Sequence, residues 1–85
     1  IGGKNIESGD FVIVDSQNVS PLDGDYVVSV IDGMANIKKY RLDKENSRIA
    51  LLSESSQSYS PIFIHENDDF RISGKVVEVV KNIKQ

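Results

Sequence analysis

The dipeptide Asp32-Gly33 constrains this chain more than any other feature. It stands between two apolar, strand-like runs, Tyr26-Val27-Val28-Ser29-Val30-Ile31 and Ala35-Asn36-Ile37-Lys38-Lys39-Tyr40-Arg41-Leu42. An Asp-Gly link between such runs is a strong signal for a type I′ hairpin, because both central residues must take positive φ. That commits the middle of the chain to antiparallel sheet, and the flanks carry the same grammar of short apolar runs and turn residues. Phe11-Val12-Ile13-Val14-Asp15 follows the turn Ser8-Gly9-Asp10. The run at Tyr26 follows Pro21-Leu22-Asp23-Gly24-Asp25. Arg48-Ile49-Ala50-Leu51-Leu52 follows the charged turn at residues 43–47, which predicts a second hairpin. Pro61-Ile62-Phe63-Ile64 reads as an edge strand, since proline cannot donate to a ladder.

The C-terminal run is ambiguous. Apolar residues at 76, 77, 79, 80 and 83 have helical spacing, yet four of the five residues from Val76 to Val80 are valine, which favours strand. We read two strands here, Phe70–Ser73 and Lys75–Ile83, the second bulged and Gly74 permitting a bend between them. The expected fold class is mainly β: a compact, twisted, antiparallel domain of about seven short strands. The Gly-Asp-plus-strand unit at residues 9–14 recurs at 24–31, too few copies for a solenoid, so it reads as a good turn used twice.

Composition narrows the function classes. A chain of 85 residues is one small domain that buries roughly 60–65% of its unfolded surface. Net charge −3 argues against direct nucleic-acid binding by this domain, which would need clustered Lys and Arg. There is no cysteine, hence no disulfide frame and no thiolate metal site or nucleophile. No apolar run approaches the roughly 20 residues needed to span a bilayer. The expected setting is cytoplasmic, with no membrane and no cofactor. The first residue is Ile, so the chain is expected to begin inside a longer gene product. His65, the single histidine, lies in the acidic turn His65-Glu66-Asn67-Asp68-Asp69. Without a second His or a Cys it makes no zinc site, and the acidic spacing matches no ion-binding loop. Ser53–Ser60 reads as a plain surface loop.

Lys38 is the candidate for chemistry. A lysine in a half-buried strand is unusual, because desolvation disfavours the ammonium and makes a neutral amine, a potential general base. Strand alternation places Asn36, Lys38, Tyr40 and Leu42 on one face and Ile37, Lys39 and Arg41 on the other, so Lys39 is expected to be a solvated neighbour. The bland alternative for Lys38 is an edge or snorkelling lysine.

An ordered set of motifs resembles the LexA-like self-processing peptidases, a group that includes phage CI-type repressors and the UmuD proteins. Ser8-Gly9-Asp10-Phe11-Val12-Ile13-Val14-Asp15 looks like the segment that follows their nucleophilic serine, and Asp23-Gly24-Asp25-Tyr26-Val27-Val28 like their next strand. Asp32-Gly33 with Ile37-Lys38-Lys39-Tyr40 resembles the hairpin and strand carrying their catalytic lysine. Leu51-Leu52-Ser53-Glu54-Ser55, Tyr59-Ser60-Pro61-Ile62 and Ile72-Ser73-Gly74-Lys75-Val76-Val77 resemble the segments that follow. Each motif is weak alone; the ordered set, over nearly the whole chain, is specific.

The resemblance implies a LexA/signal-peptidase-like fold and a Ser–Lys dyad in which Lys38 is the general base. Residues 1–85 would be the C-terminal peptidase and dimerisation domain of a transcriptional regulator, truncated on its N-terminal side. It further implies autoproteolysis of an interdomain linker laid along a strand edge. Implied partners are a second copy, with Val76–Val80 or the surface beside it at the contact, a helix-turn-helix DNA-binding domain in the parent chain, and a RecA filament as trigger of an SOS-type response. The chain departs from the family at one point. The nucleophilic serine should stand at or just before Ile1, no serine is there, and Ser8 is too close to the turn to match. The nucleophile is therefore expected upstream of Ile1. Rival readings are a non-catalytic dimerisation module that has lost the serine, a type I signal peptidase, which would need a membrane anchor and a large extra domain, and an unrelated small β-barrel binding module, which would need an aromatic platform.

Overall fold

The computed structural model describes residues 6–53 and 60–83. Among these residues six strands form one antiparallel sheet: β1 Phe11–Asp15, β2 Tyr26–Ile31, β3 Met34–Asp43, β4 Arg48–Leu52, β5 Ile62–Ile64 and β6 Phe70–Val80. Their order across the sheet is β1-β6-β2-β3-β4-β5. The mainly-β antiparallel reading therefore holds. The Asp32-Gly33 link is the expected turn: both residues have positive φ, 50° and 80°, and Ile31 pairs with Met34 across it. The charged turn closes the second hairpin, with Asp43 opposite Arg48. Arg48 Nε donates to Asp43 Oδ2 at 2.9 Å, and together with Asn46 holds the Asp43 carboxyl below its ordinary pKa. Among the described residues β5 pairs only with β4 and is an edge strand, as Pro61 before it implied.

The two strands expected around Gly74 are one. β6 runs unbroken from Phe70 to Val80 and accommodates two extra residues. Ser73 is the extra residue against β2, where Val28 faces Gly74 and Ser29 faces Ile72. Val77 is the extra residue against β1, where Ile13 faces Glu78 and Val14 faces Val76. A bulge reverses side-chain parity. Val76 and Val79 thus reach the same core although three residues apart; they cluster with Tyr26, and Ile6, Val12 and Ile37 pack against them. β6 is also not an exposed terminal strand, since it lies between β1 and β2. Val76 and Val79 are core, whereas Val77 and Val80 are exposed. The opposite face buries Val27, Leu51 and Ile64 together with Ser29, whose Oγ donates to the Asn36 carbonyl at 3.1 Å.

The repeated Gly-Asp unit has a repeated structural job. Gly9 and Gly24 both sit at φ 91°, where a side chain would be strained. In each turn the following aspartate accepts from the backbone three residues back: Glu7 N to Asp10 Oδ2 at 2.9 Å, and Leu22 N to Asp25 Oδ2 at 2.8 Å. Each aspartate also faces a lysine of the C-terminal segment. Lys75 lies 3.4 Å from Asp25, and Lys81 donates to Asp10, whose Oδ1 accepts from Asn82 N at 3.0 Å. The Lys81 hydrogen bond, then those from Asn82 and Glu7, lower the Asp10 pKa from 3.8 to about 2, and the same contact raises that of Lys81.

A carboxylate depressed in the folded state stabilises it above the unfolded pKa and loses that contribution as pH falls through the folded one. Asp10 should therefore stabilise the fold fully above pH 3.8 and cease to do so near pH 2. Urea titrations of wild type and Asp10→Asn across that window check this. The wild type should be the more stable at neutral pH and the gap should close on acidification. A gap that is constant with pH would remove ionised Asp10 from the account.

Candidate functional site

Lys38 lies in the middle of β3, the fourth strand across the sheet and not an edge. This disposes of the edge-lysine alternative. In register, Lys38 faces Val27 of β2, which is fully buried. On its other side the β3–β4 ladder ends with Lys39 opposite Leu52. One residue further, Ser53 comes level with Lys38, because opposed residues in an antiparallel pair share a face. The contact is made: Lys38 Nζ donates to Ser53 Oγ at 2.8 Å. Tyr40, two residues on and on the same face, is opposite the buried Leu51.

The alternation read from the sequence is correct. Lys39 points to the other face, opposite Tyr26. It is half-buried there, not fully solvated, with its Nζ 5.5 Å from the centre of the Tyr26 ring. A cation over an aromatic face is held by the ring quadrupole. The two adjacent lysines thus have separate roles by geometry, one on an aromatic ring and one on a hydroxyl.

The pieces of the site expected from Ile1-Gly2-Gly3 and from residues 54–59 lie outside the described residues. Ser53, at the near end of that second segment, is within them and half-buried. Reading Ser53 only as the start of a surface loop missed its contact with Lys38. The signal was available, since extending the second hairpin by one pair places the two residues opposite each other. His65 is exposed in a turn where its backbone N donates to Asp68 Oδ2 at 2.7 Å. Among the described residues no group of three or more His, Cys, Asp or Glu side chains is arranged to hold a metal ion, and no helix is long and apolar enough to cross a membrane.

Lys38 thus presents a primary amine on a sheet face, opposite a buried valine and hydrogen-bonded to a hydroxyl. Known proteins share the frame in which it sits. The family described as Peptidase S24-like matches residues 3–77. A LexA repressor of Syntrophotalea carbinolica is 37% identical over 82 residues, 96% of this chain and 39% of that protein. LexA repressors of Magnetococcus marinus and Oleidesulfovibrio alaskensis are 36% and 38% identical, over 87% and 85% of this chain and 30% and 33% of those proteins. The chain spans two-fifths or less of the length of these curated relatives.

Proposed function

The chain belongs to the S24-like peptidase family, and from that premise we propose that residues 1–85 are the C-terminal self-cleavage and dimerisation domain of a LexA-like transcriptional repressor, with Lys38 as general base of a Ser–Lys dyad. The observation that carries the proposal is the placement of Lys38: mid-strand, half-buried, its Nζ held at 2.8 Å on Ser53 and its flank against Val27. A serine hydroxyl is a poor nucleophile until a base takes its proton, and a neutral lysine can do so without histidine.

In this reading the nucleophilic serine precedes Ile1. Lys38 Nζ takes the hydroxyl proton as Oγ bonds to the carbonyl carbon of the linker peptide. The peptide C–N bond then breaks, and the leaving amine takes the proton back from Lys38. Water hydrolyses the resulting ester with Lys38 again as base. Cleavage separates a helix-turn-helix DNA-binding domain from this one, and a RecA filament promotes it. In this reading the repressor acts where the chromosome is, in the cytoplasm.

For dimerisation the favoured surface is the outer face of β1 and β6, where Phe11, Ile13, Val77 and Val80 are exposed, Phe11 at 68%. Phe11 and Val80 are opposed across β1 and β6, and β1 is an outer strand of the sheet among the described residues. Large apolar side chains exposed on two paired strands suit an association surface.

Incubation of the full-length protein at mildly alkaline pH, followed by gel electrophoresis, tests the catalytic reading. Two fragments should appear at a rate independent of protein concentration, with the cut on the N-terminal side of this segment. An intact protein after prolonged incubation, both with and without an activated RecA filament, would favour the non-catalytic dimerisation module.

A further inference from the structure

We propose that Ser53 is a positioning residue for Lys38, holding its amine in the place from which it can accept a proton; this rests on the Ser–Lys reading of the site. Lys38 ends in a flexible four-carbon stem, and such a side chain exposed on a sheet face samples many rotamers. Two features remove that freedom. Val27, fully buried, faces it on one side, and on the other Ser53 Oγ accepts a hydrogen bond from Nζ at 2.8 Å.

The stereochemistry makes this contact useful. A neutral amine has two N–H bonds and one lone pair. A serine hydroxyl can accept through its oxygen and still donate its own hydrogen elsewhere. With one N–H directed to Ser53, rotation about the Cε–Nζ bond is restricted and the lone pair is confined to the two remaining staggered positions, away from Ser53. A base that is oriented before the nucleophile arrives needs no rearrangement at the moment of proton transfer.

The backbone at this point is equally fixed. The buried Ser29 Oγ donates to the carbonyl of Asn36, two residues before Lys38, tying β2 to β3 beside the site. Ser53 itself directly follows the last paired residue of β4, Leu52, so its position is set by the ladder. The Ser53–Lys38 contact therefore joins adjacent strands on the reactive face. It also gives Ser53 a task that a surface-loop serine would not have.

The test uses the full-length protein with Ser53→Ala and Ser53→Thr. Self-cleavage is followed across pH to the plateau at which the rate stops rising. Ser53→Ala should lower the plateau about tenfold, the effect of losing one orienting hydrogen bond, and Ser53→Thr, which keeps the hydroxyl, should restore most of it. An unchanged plateau with only a displaced pH profile overturns the proposal. So does a loss of cleavage in Ser53→Ala that Ser53→Thr does not restore.

A second readout does not depend on cleavage. Isotope-labelled side-chain NMR of Lys38 should show a single restricted rotamer in wild type and Ser53→Thr, and rotamer averaging in Ser53→Ala. Averaging already present in wild type overturns the positioning role even where the protein cleaves. A restricted wild-type Lys38 that is freed by Ser53→Ala supports it even where no cleavage is seen, in which case the peptidase reading fails and the contact stands.

Discussion

Replacing Lys38 by alanine should abolish self-cleavage of the full-length protein while leaving the fold in place. General-base catalysis contributes about 10²–10⁴-fold, so the expected fall takes the fragments below detection on a gel within the time that wild type needs for completion. The fold should survive because Lys38 is half-buried and the packed residues of its face, Val27, Leu51 and Ile64, are untouched. The hydroxyl left behind on Ser53 is itself only half-buried and can turn to water. Lys38→Arg sharpens the result. It retains the positive charge and the ability to donate to Ser53, but a guanidinium remains protonated and cannot act as base. Both variants should be inactive, with thermal midpoints close to wild type. Cleavage by Lys38→Ala at the wild-type rate would sink the assignment. Cleavage by Lys38→Arg alone would turn the role of Lys38 from base into fixed charge.

An element of this chain is legible in the sequence to the extent that its cause is local. The bounds of β1, β2 and β4 coincide with the apolar runs Phe11–Asp15, Tyr26–Ile31 and Arg48–Leu52 because turn residues limit those runs on the spot. Positive φ at Gly24 and Gly33 and the Asp25 side chain enforce them. The face of Lys38 was legible for the same reason, since alternation is a property of one strand. β6 was legible as a bulged, valine-rich strand but not as one unbroken strand with two bulges, whose places are imposed by its partners. Val76 and Val79 mimic helical spacing because Val77 is an extra residue against β1, and only the valine content of Val76–Val80 marks the run as strand. The Lys38–Ser53 contact lies between these cases. It follows from strand alternation once the closing pair Asp43–Arg48 is known, but depends on a register that only the hairpin as a whole defines.

Gly74→Ala should be among the most destabilising single-methyl substitutions in the chain, and the reason is space, not backbone conformation. A Cβ built on Gly74 would lie 2.6 Å from Val14 Cγ1, 2.9 Å from the Asp15 carbonyl oxygen and 3.2 Å from Ser16 Cα. Two of these three neighbours are backbone, so rotating one side chain does not clear the site. Overpacking of this kind costs about 1–3 kcal/mol. For a domain of this size that lowers the thermal midpoint by roughly 5–15 °C. Gly24→Ala provides the contrast. No heavy atom lies within 4 Å of its added Cβ, but φ is 91°, so its cost is conformational alone. A double-mutant cycle separates the two contributions at Gly74. Val14 is partly exposed, at 36%, so Val14→Ala by itself should cost little. In that background the closest contact of the Gly74→Ala methyl is gone, while the Asp15 carbonyl remains. The substitution should then be milder than in wild type but still destabilising. Full rescue would mean that the backbone of β1 yields freely at its C-terminal end. No rescue would mean that the backbone contact alone sets the cost, and an undiminished midpoint for Gly74→Ala itself would contradict the close approach of β1 to β6.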